Sequence, residues 1–335
     1  MEREAVYGMQ ASGGRGGKPA LIVLTGPTGT GKTNLVFRLA RVFGGEVVSA
    51  DSMQVYRYLD IGTAKPSRSV REFLPHHLVD VADPDEPFHA ALFVELAERV
   101  IGRLHGEGKT IWVVGGTGLY IRALLGGLAE AGADPEIRNG LKRELARSGL
   151  SALYERLGRT DPESAARIHR NDAVRILRAL EVYEATGRTM TAVQREHRFR
   201  RKPYRSLCLG LVREREDLFS RIDRRTEEMF REGLVGEVED LLRRGYGETL
   251  KPLQTLTYRP VFRHIRGELT EREAVLSVQR DTRLYARRQG TWMKKEKDLE
   301  WFLPEDEDRL KFRVDAFLNA DPARAGSSQD GNFLD

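Results

Sequence analysis

Short apolar runs alternating with longer amphipathic stretches organise the first third of the chain. Leu21-Ile-Val-Leu-Thr25 is a continuous apolar run of strand length, and Asn34-Leu-Val-Phe-Arg-Leu-Ala40 carries its apolar residues at helical spacing. Glu46-Val-Val-Ser-Ala50 predicts a second strand that ends at Asp51, and His77-Leu-Val-Asp-Val81 a short third one. From Ala90 to Leu104 the apolar positions 92, 93, 96, 97, 100, 101 and 104 keep a helical period, and Thr110-Ile-Trp-Val-Val-Gly-Gly116 is again a buried strand. Apolar strands separated by helices predict a parallel sheet covered on both faces, with ligands bound beyond the C-terminal ends of the strands.

The pattern changes near residue 126. Gly126-Gly-Leu-Ala-Glu-Ala-Gly-Ala-Asp-Pro135 is rich in breakers, and residues 136–187 then read as helical, with Asp161-Pro162 opening a new helix. Residues 188–203 are polar and basic, and Ser206-Leu-Cys-Leu-Gly-Leu-Val212 returns to strand character, so it can rejoin the sheet. Further helices are predicted near 215–233, 234–244 and 271–297. The chain thus divides into a flexible leader (1–18), the first part of an α/β core (19–125), a helical insertion (126–200), the completion of the core with basic C-terminal helices (201–321), and a disordered tail (322–335).

Composition adds bounds. At 335 residues the chain exceeds a usual single core. It has 40% hydrophobic and 31% charged residues, and no apolar run approaches the ~20 residues of a membrane helix. The leader has no apolar segment of the secretory kind, and the lone Cys208 can form no internal disulfide, so a cytoplasmic protein is expected. Cys208 itself reads as a small buried hydrophobe. His76 and His77 have no Cys or further His at ligand spacing, which argues against a metal site there. The net charge is +5, but residues 251–297 hold twelve Lys/Arg against five Asp/Glu. That local excess fits either a polyanionic partner or a solvated helix face. On the last helix Arg280, Arg283, Arg287 and Lys294 share one face, while Tyr285 and Trp292 lie on another that reads as core.

The chemistry is carried first by Gly26-Pro27-Thr28-Gly29-Thr30-Gly31-Lys32-Thr33, a GxxxxGK[ST] motif between a predicted strand and a predicted helix. Glycines let backbone N–H groups curl around an anion, the helix adds its positive end, Lys32 adds a charge, and the Thr33 hydroxyl is placed for Mg²⁺. The expected core is therefore of the P-loop NTPase type. A nucleotide hydrolase would end its next apolar strand in a Mg²⁺-holding carboxylate, yet Ile111-Trp-Val-Val114 runs into Gly115-Gly-Thr-Gly118. Asp80 is an alternative carboxylate. Asp51, one strand over from the loop, can be a general base toward a nucleophile approaching the bound phosphates, or a local cap.

Several blocks together resemble the tRNA dimethylallyltransferases. Besides the phosphate loop they are Ala50-Asp-Ser-Met-Gln-Val-Tyr56, Asp60-Ile-Gly-Thr-Ala-Lys-Pro66, His76-His-Leu-Val-Asp-Val81 and Val114-Gly-Gly-Thr-Gly-Leu-Tyr120. Asn171-Asp172, Arg175-Ile-Leu-Arg-Ala-Leu-Glu-Val-Tyr183, Arg221-Ile-Asp-Arg-Arg225 and Arg288-Gln-Gly-Thr-Trp292 extend the resemblance over about residues 20–303. It implies transfer of a dimethylallyl group from its diphosphate to N6 of the adenosine 3′ of a tRNA anticodon. Residues 26–33 then grip the diphosphate, Thr28 touches the phosphates, Arg225 adds a second cation, and Asp51 accepts the N6 proton. Thr117 becomes a partner of the target base or its backbone, which is compatible with its capping the next helix.

The resemblance further implies tRNA contact by Asp51, Ser52, Met53 and Gln54, by Arg138 in the insertion, and by Val174, Arg175, Ile176, Leu177 and Arg178. It does the same for Gln254, Thr255, Leu256, Thr257, Tyr258 and Arg259, where Thr257 stands in place of the family's usual Gly. Mg²⁺ is the expected cofactor. The expected partners are a tRNA anticodon stem-loop and dimethylallyl diphosphate, with no membrane, and the chain is expected to act as a monomer. Two alternatives keep parts of the pattern: a prenyl transferase acting on free adenine nucleotides, and an RNA-binding P-loop NTPase.

Overall fold

In the computed structural model, the described residues are 17–128, 132, 134–197 and 202–320. The expected tail, nearly all of the expected leader, and residues 129–131, 133 and 198–201 lie outside them. Long-range packing divides the chain into two units, residues 1–125 with 203–335, and residues 126–202.

In the first unit six parallel strands form one sheet: β1 (Ala20–Thr25), β2 (Glu46–Ser49), β3 (His76–His77), β4 (Ile111–Gly115), β5 (Arg205–Leu211) and β6 (Leu299–Phe302). Their order is β3-β2-β4-β1-β5-β6. The central strands read as continuous apolar runs because helices cover both faces. Helices α1 (Lys32–Phe43), α2 (Arg68–Phe73), α3 (Ala90–Gly106) and α4 (Gly118–Gly126) belong to the first part of the unit. One face packs Ile22, Leu24, Trp112 and Leu209 against Leu35 and Leu39 of α1; the other packs Leu21, Val23 and Val113 against Phe93, Ala97 and Ile101 of α3. Register sets the site. Thr25 pairs with Gly115 on one side and Gly210 on the other, and Ser49 with Val114, so the turns after β1, β2 and β4 open on one edge.

The third strand is shorter than the expected 77–81. Leu78 and Asp80 take positive φ (62° and 58°), which an extended ladder cannot accommodate. The segment turns instead to meet the chain after β2, with Val81 and Ala82 N–H donating to Val55 O at 2.8 and 3.0 Å.

The second unit is helical: α5 (Pro135–Thr160), α6 (Pro162–Arg167), α7 (Ala173–Thr186) and α8 (Met190–His197). Gly149 (φ 77°, ψ 167°) breaks α5 into two. The buried Asp161 carboxylate joins the ends, accepting from Ser164 N at 3.0 Å and from Thr191 N at 2.9 Å.

Back in the first unit follow α9 (Arg215–Arg231), α10 (Leu234–Arg243), α11 (Tyr258–Ile265), α12 (Glu271–Met293) and α13 (Glu307–Asn319). Gly233, at φ 103°, separates α9 from α10. Strand β6 and helix α13 had no counterpart in the sequence reading. Leu310, Val314 and Leu318 of α13 fill the face shared with α1, so the end of the chain completes the core.

Candidate active site

The phosphate loop is built as its spacing predicts. Gly31, at φ 94°, is the N-cap of α1 and offers no side-chain cap, and no acidic residue lies in the first turn, so the positive helix end stays uncompensated. Lys32 Nζ donates to Gly26 O and Pro27 O, each at 2.9 Å, and Thr30 Oγ1 closes the loop on Pro27 O at 2.8 Å. Burial pushes the Lys32 ammonium down to about 8; the nearby Arg225 adds to this and Asp51 opposes it.

Arg225, on α9, enters the loop from the far side and donates to Thr28 Oγ1 at 2.8 Å. Its guanidinium is buried, its Nε has no hydrogen-bond partner, and among the described residues it makes no ion pair. Burial lowers its pKa, and Asp51 partly offsets the shift. Two buried cations beside bare helix amides make a strongly anion-selective pocket. A cavity of about 490 Å³ opens here, lined by Lys32, Thr33, Asp51, Lys65, Arg221 and Arg225 among others.

The opposite wall comes from the turns after β2 and β4. Asp51 Oδ1 accepts from Met53 N (2.8 Å) and Gln54 N (3.2 Å), a cap of its own turn that leaves Oδ2 without a hydrogen bond among the described residues. One oxygen thus caps the local turn, and the carboxylate also lines the cavity. Thr117 Oγ1 accepts from Ser52 N at 3.1 Å, tying the two turns together, and Thr117 O accepts from Tyr120 N at the start of α4.

The glycines found where a hydrolase carries its acid have a packing reason. A Cβ at Gly115 would lie 2.1 Å from Ala50 O, and one at Gly116 would lie 2.5 Å from Gln289 Nε2. Asp80 is not a substitute acid: its oxygens lie 2.6 Å from Lys65 Nζ and from Arg71. Burial works against its charge, but those two hydrogen bonds prevail and lower its pKa.

A second cavity, of about 260 Å³, continues from Lys32 and Asp51 past Met53 and Met229 to Thr255–Tyr258. Helix α12 lines it with Val278, Thr282, Tyr285 and Gln289, a stripe at helical spacing. The sequence reading took Tyr285 for core, whereas it faces this cavity. Burial raises its pKa, and the Asp51 charge adds to the shift. Gln289 and Glu237 were also missed. Glu237 of α10 accepts from the backbone N–H of Asp60 (2.9 Å), Ile61 (2.6 Å) and Gly62 (3.1 Å), and from Tyr258 Oη (2.8 Å). A lone glutamate on an amphipathic helix carries no sequence mark of that role. Thr257 adopts φ −88°, ψ −49°, so its backbone needs no glycine. Arg259 is exposed, and Gln254 Nε2 donates to Thr249 O at 3.2 Å.

The basic face expected on α12 is partly spent within the fold. Arg283 pairs with Asp223 at 3.1 Å and Arg280 with Asp281 at 3.0 Å.

In the helical unit Val174 is 72% exposed, and the exposed Arg175 pairs with Asp172. Arg138 and Arg178 both reach the buried Glu181 carboxylate, at 3.3 and 3.1 Å. Ile176 is fully buried among Leu141, Leu153 and Leu180, and Leu177 packs half-buried beside it. Direct tRNA contact by the Ile176 side chain is excluded because its surface is used by the helical core.

An all-parallel α/β sheet, a glycine-rich loop between β1 and α1, and two cations facing a carboxylate define an α/β protein with a P-loop-like core. The family model described as IPP transferase matches residues 54–296, and one described as isopentenyl transferase matches residues 19–74. The chain belongs to the IPP transferase family. It is 48% identical over 305 residues to tRNA dimethylallyltransferase 2 of Syntrophus aciditrophicus, covering 91% of this chain and 98% of that protein. With the tRNA dimethylallyltransferase of Syntrophobacter fumaroxidans the identity is 49%, over 88% and 86% of the two chains. Among solved structures, the full-length tRNA isopentenylpyrophosphate transferase of Bacillus halodurans is 35% identical with a TM-score of 0.67, covering 90% of this chain and 97% of that one. A eukaryotic dimethylallyltransferase acting on tRNA gives a TM-score of 0.72 at 29% identity, over 84% and 73%.

Proposed function

We propose that the protein transfers a dimethylallyl group from dimethylallyl diphosphate to N6 of the adenosine 3′-adjacent to the anticodon of tRNAs, releasing diphosphate. The observation that carries this reading is the pair of buried cations, Lys32 and Arg225, set beside one carboxylate, Asp51, rather than beside a metal-holding acid at the end of β4.

The allylic C1–O bond breaks and its electron pair goes to the diphosphate. Lys32, Arg225 and the first amides of α1 stabilise that growing charge. The N6 lone pair forms the new bond to C1, and Asp51 Oδ2 takes the proton N6 must lose. Thr117 and Ser52 hold the turn that presents Asp51. The adenine reaches this point only by leaving the anticodon-loop stack, which an unpaired loop permits at low cost.

Thr33 would offer its hydroxyl to a Mg²⁺ ion that arrives with the substrate phosphates. The Thr33 hydroxyl lines the same cavity as Lys32 and Arg225, and an oxygen donor of this kind suits Mg²⁺, which commonly rides on substrate phosphates. When bound, such an ion would supply Lewis-acid stabilisation of the charge that Lys32 and Arg225 also face. No helix among the described residues is long and apolar enough to cross a membrane. The reading further takes the enzyme to act as a cytoplasmic monomer.

The test offers labelled dimethylallyl diphosphate and Mg²⁺ with unmodified tRNA, with AMP, or with neither. Label in tRNA is expected. Label in AMP alone would turn the assignment to a nucleotide prenyl transferase, and RNA-stimulated nucleotide hydrolysis without transfer would overturn it.

A further inference from the structure

We infer that Gln289 is a positioning residue: its single carboxamide fixes the separation between the diphosphate cradle and the edge that receives the nucleophile. The inference rests on the proposed function for what the two sides bind.

Gln289 lies on α12, far along the chain from both sides, and is 8% exposed. Its Oε1 accepts from Thr28 N in the phosphate loop at 2.9 Å, and its Nε2 donates to Gly116 O after β4 at 2.9 Å. A backbone N–H only donates and a backbone carbonyl only accepts, so the orientation of the amide is fixed by its partners. A carboxamide carries both functions on one carbon; a carboxylate or an ammonium can serve one side only. Gly116 is shaped for this contact, since a Cβ there would stand 2.5 Å from Nε2.

Each side leads to a reacting group within a few bonds. Thr28 holds Arg225 through its hydroxyl at 2.8 Å, so the donor-side cation hangs on the residue that Gln289 grips. Gly116 precedes Thr117, whose hydroxyl accepts from Ser52 N at 3.1 Å beside Asp51. The bridge also commits the Thr28 amide to protein, leaving the later amides of the loop and α1 for phosphate. Without it, the loop and the β4 turn keep the Thr25–Gly115 strand pairing at their bases, but the tie between Thr28 and Gly116 beyond that pairing is lost. Transfer between two separately bound substrates is sensitive to that spacing, because about 1 Å of misplacement can cost roughly a hundredfold in rate.

The experiment compares wild type with Gln289→Ala, Gly116→Ala and the double variant. It measures kcat and KM for both substrates, melting temperature, and binding of a non-hydrolysable thio analogue of dimethylallyl diphosphate and of tRNA, separately and together. Gln289→Ala is expected to lower kcat by roughly ten- to a hundredfold, with each KM and each separate affinity within about threefold and the mutual strengthening of the two ligands lost. Gly116→Ala should displace the same carboxamide from the other side, so the double variant should be no worse than the poorer single variant by more than about threefold. A kcat of Gln289→Ala within twofold of wild type would overturn the inference, as would losses that multiply in the double variant. So would a loss confined to one KM, which marks a direct substrate contact. Should Gln289→Ala fail to fold, Gly116→Ala alone decides: a lowered kcat at unchanged KM supports the bridge, and an unchanged kcat overturns it. If wild type transfers nothing to tRNA, the proposed function falls, and the inference is read from binding: synergy between analogue and tRNA that Gln289→Ala abolishes supports it, and its absence in wild type or persistence in the variant overturns it.

Discussion

Raising the pH should loosen the grip on the donor while stabilising the free protein, and both effects come from Lys32. Its ammonium titrates at about 8 instead of 10.5, because burial penalises the charge by more than the attraction of Asp51 restores, and Arg225 adds a smaller repulsion. A diphosphate placed about 4 Å away changes this: one unit of opposite charge at an effective dielectric near 20 contributes roughly 4 kcal/mol, which is about three pKa units. Bound donor therefore keeps Lys32 protonated well above the pH at which the free enzyme loses that proton. Binding above pH ~8 takes up a proton, and the dissociation constant of the thio analogue should rise roughly tenfold between pH 7 and pH 9.

The linkage sign for folding is opposite. Between about 8 and 10.5 the unfolded chain holds a proton that the folded chain has lost, so this group makes the ligand-free protein more stable as pH rises through that window, by up to about 3 kcal/mol. Titration calorimetry in two buffers of different ionisation enthalpy, with Lys32→Met as the reference, measures the affinity slope and the proton taken up. Denaturant melts of both proteins at the same pH values measure the stability slope. An affinity that stays flat from pH 7 to pH 9, or a slope retained by Lys32→Met, would refute the reasoning.

Asp51→Asn should cut turnover by about 10²–10⁴ and leave tRNA affinity within a few-fold, since the amide oxygen can still accept from Met53 N; a normal rate would remove the base role. Arg225→Lys keeps a charge but not the fork that grips Thr28 and phosphate together, so kcat/KM for the donor should fall at least tenfold, and wild-type kinetics would show that charge alone suffices. Glu237→Ala strips the acceptor from three backbone amides and Tyr258, and should destabilise the protein by about 2–4 kcal/mol in denaturant melts. A change below about 0.5 kcal/mol would mean the 60–62 turn holds itself. Affinity for tRNA should fall steeply and linearly in log salt as phosphate contacts release counterions; a flat plot would count against the basic surface.

What could be read in the chain depended on how local each signal was. The phosphate loop was legible because GxxxxGK[ST] is continuous and its neighbours have strand and helix periods of their own. The third strand was overextended because His77-Leu-Val-Asp-Val81 alternates like a strand, while the left-handed Leu78 and Asp80 answer to a pairing with residues 54–56 that no local pattern announces. Likewise Ile176 sits within the tRNA-contacting block implied by resemblance, yet its helix turns it into the core.

The sequence by itself determined the parallel α/β core, the anion-binding loop and the position of Asp51 at a strand's end, since each follows from short-range periodicity and backbone stereochemistry. Tertiary structure decided how distant residues complete the site, among them Gln289 and Glu237, which neither periodicity nor resemblance marked. Arg225, Gln289 and Glu237 come from three helices after the sheet's fifth strand, and each acts on a backbone or hydroxyl partner more than 170 residues away. Only packing brings such groups within 3 Å, and a hydrogen bond to backbone leaves no complementary residue type in the sequence by which to find it.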